Sequence, residues 1–408
     1  MNRIKDILSA SAKGWRSLAG KLSGRTAPAA AMAAAVSCAV ILPSCVKNET
    51  AGAGMDGDGR REICFNIIPV KTGTKAAATF SQFPSDEPFG TVAWFLPSGK
   101  NWRDDSADAE DYVPSEKITC ESNVWKAWES GKTYWWPHGG SLTFFSWAPY
   151  SLKDDSRFSI DKADGGIVIR DWKLEATPGY GGDASFGTAS TDGAVDILTA
   201  RSPDLTGNTQ NTWQTSDGST FTGNGAKIQF THALCKVRFL ISLDYAPEDE
   251  SQKWYVEKVE LKDIYTQGTF RGTSWSGYPL SGMADYSLSF TGDGTPDGME
   301  ITADEQKTLL PRTMMMPQPL TATSSGTVSR VPRIELDIWN GGYDSMHNKD
   351  VLHLSGLLYS NHTEILRWSE GSDIVYHLFV STGKENYIDF DASTEVWDSV
   401  DGGDIDLQ

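Results

Sequence analysis

The sequence predicts an all-β protein with two domains. The chain has 408 residues, and the about 350 that follow an N-terminal leader are enough for two domains of ordinary size. It contains 39 Gly, 15 Trp, 13 Tyr and 16 Phe, and abundant aromatics with glycine-rich turns favour strands. The best helix candidates, at 103–111 and 302–308, are short and acidic. An all-β fold is therefore expected.

The leader, residues 1–44, is typical of a secretory signal peptide. Residues 1–25 carry six basic residues against a single acid, Asp6, and residues 27–42 are almost wholly apolar. A basic segment followed by an apolar one is the pattern of an export signal. The apolar run is about 16 residues, shorter than the about 20 that a spanning helix needs. We therefore predict export rather than a retained transmembrane helix.

The leader ends at Leu42-Pro43-Ser44-Cys45, which resembles a bacterial lipobox. In that motif a small residue precedes a cysteine that is acylated and becomes the new N-terminus. Cys38 fits less well because apolar residues continue after it. We predict lipid attachment at Cys45, and the alternative is a cleavable signal with an incidental cysteine.

Charge and cysteine content exclude several classes of partner. The net charge is −18, and because the first 44 residues carry six basic and one acidic side chain, the remainder carries −23. So acidic a chain is a poor partner for nucleic acid. Cys64, Cys120 and Cys235 are odd in number and far apart, which implies neither a disulfide framework nor a zinc site. We expect them to act as small buried hydrophobes.

Alternating apolar residues place the strands. After a flexible tether at 45–60, alternation predicts a first strand at 61–70, followed by an exposed loop, KTGTKAAATF. Further strands are predicted at 87–97, 124–128, 142–147, 226–241, 254–264, 332–339, 373–380 and 387–397. The domain limit is expected near residue 225, with an N-terminal sandwich at 61–225 and a C-terminal sandwich at 226–408.

The segment 226–241 has a break in its alternation. Ile228, Phe230 and His232 share one face, and Val237 and Phe239 continue the pattern one residue out of phase. Such a slip indicates either a β-bulge or a strand that changes partner. His232 lies on the apolar face, where a hydrogen-bonded core histidine is expected rather than a ligand.

The aromatic segment 124–150 predicts strands around a turn at His138-Gly139-Gly140, with a strand at 142–147 after it. Exposed tryptophans in this segment could stack on sugars. Alternating aromatics in strands more often fill a sandwich core, and this is the interpretation we favour.

Catalytic motifs are weak. Gly131-Lys132-Thr133 lacks the earlier glycine of a phosphate-binding loop. The six histidines form no HExxH pair, and a G-x-S-x-G elbow is missing. The acidic C-terminus has the wrong spacing for an EF-hand and predicts a solvated tail. No catalytic residue, metal or cofactor is expected.

Several segments together resemble the fimbrillin family of Bacteroidales, the Mfa-like subunits of type V pili. They are, in the family's order, the lipobox at Cys45, YWWP…LTFFSWAPY at 134–150, DILTA at 196–200, IQFTHALCKVRFLI at 228–241, MMMPQPL at 314–320 and YHLFV…IDF…VW at 376–397.

The resemblance implies two transthyretin-like β-sandwiches and a stalk or tip subunit of a pilus rather than an enzyme. The precursor would be a lipoprotein of the outer membrane that reaches the cell surface and the fimbrium. A trypsin-like protease would then cut after the first strand, and a strand of a neighbouring subunit would fill the vacated groove. A host or bacterial surface receptor is a further expected partner. The alternatives are an anchor subunit that keeps its lipid and a carbohydrate-binding lipoprotein.

Mapped onto this chain, the resemblance makes strand 61–70 the one removed and Lys75-Ala76 the processing site. The family site is usually Arg before a small residue, so Lys75 leaves the identity of the protease open. A cut at Arg60 or Arg61 would leave the strand in place. Strand 387–397 is the donor candidate.

Overall fold

The structure is a computed structural model. It describes residues 59–68, 83–121, 124–174, 195–207, 211–214, 220–223, 225–248, 252–292, 298–325, 328–340, 347–354, 365–381 and 388–395. Nearly all of its regular elements are strands, which confirms the all-β prediction. All described residues fall in one compact unit, so the division near residue 225 stays a prediction.

The strands of the first half are β1 (Phe65–Ile68), β2 (Phe89–Leu96), β3 (Glu110–Glu121), β4 (Val124–Trp128), β5 (Ser141–Ala148), β6 (Phe158–Asp161), β7 (Gly166–Lys173), β8 (Leu198–Leu205), β9 (Asn211–Gln214), β10 (Thr220–Gly223), β11 (Ala226–Gln229) and β12 (Thr231–His232). A short helix, α1 (Trp102–Asp105), precedes β3, and 3-10 turns lie at Ser106–Asp108 and Tyr150–Asp154.

The strands of the second half are β13 (Cys235–Leu243), β14 (Trp254–Tyr265), β15 (Gln267–Arg271), β16 (Ser274–Ser276), β17 (Met283–Ser289), β18 (Met299–Ile301), β19 (Lys307–Met315), β20 (Gln318–Pro319), β21 (Thr323–Ser325), β22 (Val328–Arg330), β23 (Arg333–Asn340), β24 (His347–His353), β25 (Arg367–Trp368), β26 (Asp373–Val380) and β27 (Ile388–Glu395). A 3-10 turn lies at Leu280–Gly282.

The first half is built on an eight-stranded sheet in the order β11-β1-β4-β3-β2-β5-β8-β12. Because β11 and β12 follow each other in the chain, one stretch of backbone pairs with β1 at one end of the sheet and with β8 at the other. The sheet thus wraps around a core whose members include Ile63, Phe65, Phe144 and Ile228.

The second half is a sandwich of two sheets. One has the order β19-β13-β26-β27, and the other has β17-β14-β23-β24 with β18 beside β14. Alternate residues of both sheets, such as Phe239, Tyr376, Val259 and Leu336, meet in one core. Burial of these apolar faces is the main force that holds the two sheets together.

A third sheet contains strands from both halves. Its order is β16-β15-β7-β6, so β15 of the second half pairs with β7 of the first. The sheet covers the outer face of the first sheet through a core that includes Phe145, Trp147, Phe270 and Trp275. A Cβ atom on Gly166 of β7 would lie 2.1 Å from the Phe145 ring, so this close approach requires glycine there.

The break in segment 226–241 proves to be a change of partner. Ala226–His232 belongs to the first sheet, and β13 pairs with β19 and β26. The backbone crosses between them at Ala233 and Leu234. His232 is 1% exposed, and its Nδ1 lies 2.9 Å from an Asp196 carboxylate oxygen, as expected of a hydrogen-bonded core histidine.

One expectation from the sequence, a strand at Tyr134–Trp136 before the turn at 138–140, is wrong. Tyr134–Trp136 is not a strand paired with β5, because β2 and β8 already occupy both edges of β5. Of the two helix candidates, α1 and the turn after it form one, whereas 302–308 forms no helix and leads into β19.

The shared third sheet predicts that the two halves unfold together. Phe270→Ala removes a ring that is 1% exposed from the core between the halves, and we expect the free energy of unfolding to fall by about 3–5 kcal/mol. Urea unfolding followed by hydrogen exchange in β2 and β14 should show both strands losing protection at one midpoint.

Val351→Ala is the control, because Val351 is 47% exposed and its truncation should cost within about 0.5 kcal/mol. Loss of protection in β14 alone would contradict the shared core.

Candidate functional site

The candidate site is the groove that β1 occupies in the first sheet. β1 is an internal strand: it runs parallel to β11 over Phe65–Ile68 and antiparallel to β4 at Phe65. The Ala226 amide also donates to the Cys64 carbonyl at 2.7 Å. A strand with partners on both sides leaves two open edges when it is removed.

Pairing continues upstream of β1 through a second segment, Tyr134–Trp136. Glu62 and Trp135 form an isolated antiparallel bridge. The Ile63 amide donates to the Tyr134 carbonyl, and the Trp136 amide donates to the Arg61 carbonyl, both at 2.8 Å. The segment therefore forms the rim of the groove beside the start of the strand.

The inner face of the strand fills the core of the first half. Ile63 is 0% and Phe65 1% exposed. The Phe65 ring centroid lies 5.5 Å from those of Phe89 and Phe144 and 5.4 Å from that of Trp128. Full burial of each such side chain contributes about 1.5–3 kcal/mol, so an empty groove would expose a strongly apolar pocket.

A polar network holds the rim in place. Tyr134 donates its hydroxyl hydrogen to Glu116 Oε1 at 2.8 Å, and the Ser130 amide donates to Glu116 Oε2 at 3.2 Å. Desolvation, with a smaller effect of Glu116, raises the pKa of Tyr134 to about 12. The Tyr112 hydroxyl donates to the Trp135 carbonyl at 2.5 Å. These contacts fix the backbone that pairs with residues 61–63.

The donor candidate, β27, lies at an edge. It pairs antiparallel with β26 from Asp373↔Glu395 to Val380↔Ile388, and within the described part of the chain β26 is its partner in the sheet order. An edge strand can leave its sheet with the loss of a single ladder of hydrogen bonds.

The sequence-predicted site residues Cys45, Lys75 and Ala76 lie outside the described residues, as do the leader and the acidic tail. Within the described ranges, no helix is long and apolar enough to cross a membrane. The same ranges contain no group of three or more His, Cys, Asp or Glu side chains able to hold a metal ion.

The aromatic segment fills cores, as favoured from its sequence. Trp125, Trp128, Trp136 and Trp147 are all buried, the last at 0% exposure. Of the three cysteines expected to be buried, Cys235 is fully buried, and desolvation raises the pKa of its thiol. Cys64 and Cys120 are only half-buried. Sequence reasoning missed the rim: Tyr134–Trp136 showed no alternation of its own, and no local signal linked it to residues 61–63.

Comparison with known proteins gives a consistent result. A family model described as fimbrillin-like matches residues 77–397. A fimbrial protein from Bacteroides vulgatus has a similar structure at TM-score 0.52 and 13% identity, covering 83% of this chain and 99% of its own. The tip fimbrial protein Mfa3 from Porphyromonas gingivalis aligns at TM-score 0.37 and 10% identity, covering 77% of this chain and 95% of its own. No curated protein sequence matches the chain.

The rim predicts a loss of stability at alkaline pH. The pKa of Tyr134 is raised from 10.0 to about 12 in the fold, so its neutral form stabilises the fold fully below pH 10. That contribution is lost as pH rises through about 12. Urea midpoints measured from pH 9 to 12 should therefore fall less steeply for Tyr134→Phe than for the wild type.

Tyr245→Phe is the matched control, because it removes one hydroxyl from a side chain that is 74% exposed. Equal slopes for Tyr134→Phe and the wild type would argue against a partly desolvated phenol at the rim.

Proposed function

The chain belongs to the fimbrillin-like family, and we propose that it polymerises by donor-strand exchange. Its family makes it a structural or adhesive pilus subunit rather than a member of an enzyme family. The first strand would be removed, and a strand from a second subunit would take its place. The proposal applies to a stalk or a tip position alike. A head-to-tail contact of this kind does not close on itself, so it builds a filament.

The observation that carries the proposal is the internal position of β1. Its removal would free the edges of β11 and β4 and uncover the pocket of Phe89, Trp128 and Phe144. An incoming strand can satisfy both edges with main-chain hydrogen bonds, while its alternate side chains fill the pocket.

The sequence of β27 fits this pocket. From Ile63 to Ile67, the apolar residues Ile63, Phe65 and Ile67 alternate with Cys64 and Asn66. In β27 the same alternation reads Ile388, Phe390 and Ala392. Phe390 would thus take the place of Phe65 between the same three rings. The alternation supports β27 as the donor strand.

For maturation we propose the route that the family resemblance implies. Export would attach a lipid at Cys45 and place the precursor on the outer membrane, and cleavage at Lys75-Ala76 would release the lipid together with β1. Cleavage at Arg60 or Arg61 would separate the lipid and leave β1 in the groove.

Retention of the lipid is the alternative. An uncut chain keeps β1 between β4 and β11, so its groove stays closed. Such a subunit would donate a strand but accept none, as an anchor at the base of a pilus must. Processing of the native protein therefore separates the two functions.

Donor-strand exchange predicts that a β27 peptide displaces β1. A full-length subunit is cut at a site-specific protease sequence inserted after Lys75, and the fragment carrying β1 is labelled. We expect a peptide of residues 386–397 to release the labelled fragment, because it restores both hydrogen-bond ladders and the aromatic contact.

The same peptide with Phe390→Ala should release the fragment at least about tenfold more slowly, since it leaves the Phe65 pocket empty. Equal release by the two peptides would contradict the proposed register. A Ser393→Ala peptide provides the control, because residue 393 lies on the opposite face of the strand from Phe390.

Processing is tested by intact-mass measurement of protein extracted from the cell surface. The wild type should begin at Ala76, whereas Lys75→Gln should keep a diacylated Cys45, because a trypsin-like protease requires the basic side chain. Lys71→Gln, in the same loop, should be processed normally. A wild-type protein that still carries the lipid would establish the anchor function instead.

A further inference from the structure

Two lysines flank the groove on its outer face. Lys227 of β11 is the direct register partner of Asn66 in the parallel ladder, so the two side chains project from the same face of the sheet. On the other side, Phe65 pairs with Trp125 in the antiparallel ladder. That register places Lys126 opposite Cys64. The groove therefore presents one ammonium group from each of its two edges.

The resident strand places no charged side chain directly opposite either lysine. Lys126 Nζ lies 3.8 Å from a Glu62 carboxylate oxygen, but Glu62 is displaced upstream from the position opposite Lys126. Directly between the lysines stand Cys64 and Asn66, which are both uncharged.

Asn66 is a poor fit to its surroundings. It is 9% exposed, and its Nδ2 has no hydrogen-bond partner among the described residues. A buried amide without a partner is unfavourable. Burial also lowers the pKa of Lys227, through desolvation of its ammonium group. A carboxylate at position 66 would attract a neighbouring ammonium group more strongly than the resident amide does.

The donor candidate carries carboxylates at the matching places. In β27, Phe390 stands between Asp389 and Asp391. When Phe390 is superposed on Phe65, one aspartate falls on position 64 and the other on position 66. This holds whichever way the incoming strand runs, because the two aspartates are symmetric about the phenylalanine.

We propose that Lys126 and Lys227 select the incoming strand by pairing with Asp389 and Asp391 of a second copy of this chain. The inference rests on donor-strand exchange and adds to it the residues that determine specificity. The aromatic pocket accepts any strand with a large apolar side chain at its centre, whereas the lysines distinguish an acidic strand from a neutral one.

Attraction between the lysines and an acidic strand is needed because the subunits as a whole repel each other. The chain from Cys45 onward carries −23, so two copies approach against a like-charge barrier. A local positive pair at the groove offsets that barrier where the strand must enter. Complementary charges of this kind act mainly on association rate and on the rejection of wrong partners.

Charge reversal with rescue tests the inference. The receiver is the full-length subunit cut after Lys75, with labelled β1, and the probes are peptides of residues 386–397 with Asp, Asn or Lys at both 389 and 391. For the wild-type receiver we expect the Asp peptide to release β1 about tenfold faster than the Lys peptide. Lys126→Glu with Lys227→Glu should invert that order.

Two further receivers complete the design. Lys126→Gln with Lys227→Gln should abolish the advantage of the Asp peptide over the Lys peptide, and it covers the case in which the reversed variant folds poorly. Lys253→Glu with Lys258→Glu makes the same change in net charge on the C-terminal sandwich and should keep the wild-type order. An unchanged order in the reversed and neutral receivers would overturn selection by charge.

A separate measurement tests donor-strand exchange itself. A peptide with the β1 sequence, residues 61–70, is added to the wild-type receiver. If it and the Asp peptide both fail to release labelled β1, donor-strand exchange fails and selection by charge fails with it. If both release β1 at rates that do not depend on the lysines, exchange stands and selection by charge is wrong.

Discussion

The burial of Phe65 is the interaction on which the N-terminal half depends. Its ring contacts β2, β4 and β5 at once, through Phe89, Trp128 and Phe144. One short strand therefore joins three others into a single core, and hydrogen bonds on both of its edges close the sheet. A strand in this position is costly to lose and, for the same reason, is tightly held once a replacement has entered.

The same half is constrained from outside by the second half. On β5, Phe144 faces the groove core, and its neighbour Phe145 faces the core that β15 and β16 complete. The Trp275 indole nitrogen, on β16, donates to the Ala233 carbonyl, where the backbone crosses between the halves. Groove and C-terminal sandwich are thus linked by pairing and packing as well as by the chain. In the proposed filament, force applied to β27 at one end of the subunit would be transmitted through this shared sheet to the groove at the other end.

The sequence predicted the parts of this arrangement that follow local alternation. Ile63, Phe65 and Ile67 defined the first strand. The phase change between His232 and Val237 indicated either a β-bulge or a change of partner, and the structure has a change of partner there. The rim at Tyr134–Trp136 and the pairing of β7 with β15 could not be predicted, because both join residues far apart in sequence without a repeating pattern. Lys126 and Lys227 were missed for the same reason, since only the register of β1 with β4 and β11 places them on opposite sides of β1.

The two faces of β1 therefore have different physical roles. The inner face supplies affinity, since burial of Ile63 and Phe65 scales with apolar area and is indifferent to the identity of the strand beyond its shape. The outer face carries little apolar area but lies between two cations. Replacing the amide of Asn66 by a carboxylate changes a single heavy atom, yet it adds a negative charge that both lysines would attract. A groove built this way holds its own first strand well enough to fold. Under the proposed exchange it also gives an acidic strand an electrostatic advantage, so folding and assembly need not compete for the same contacts.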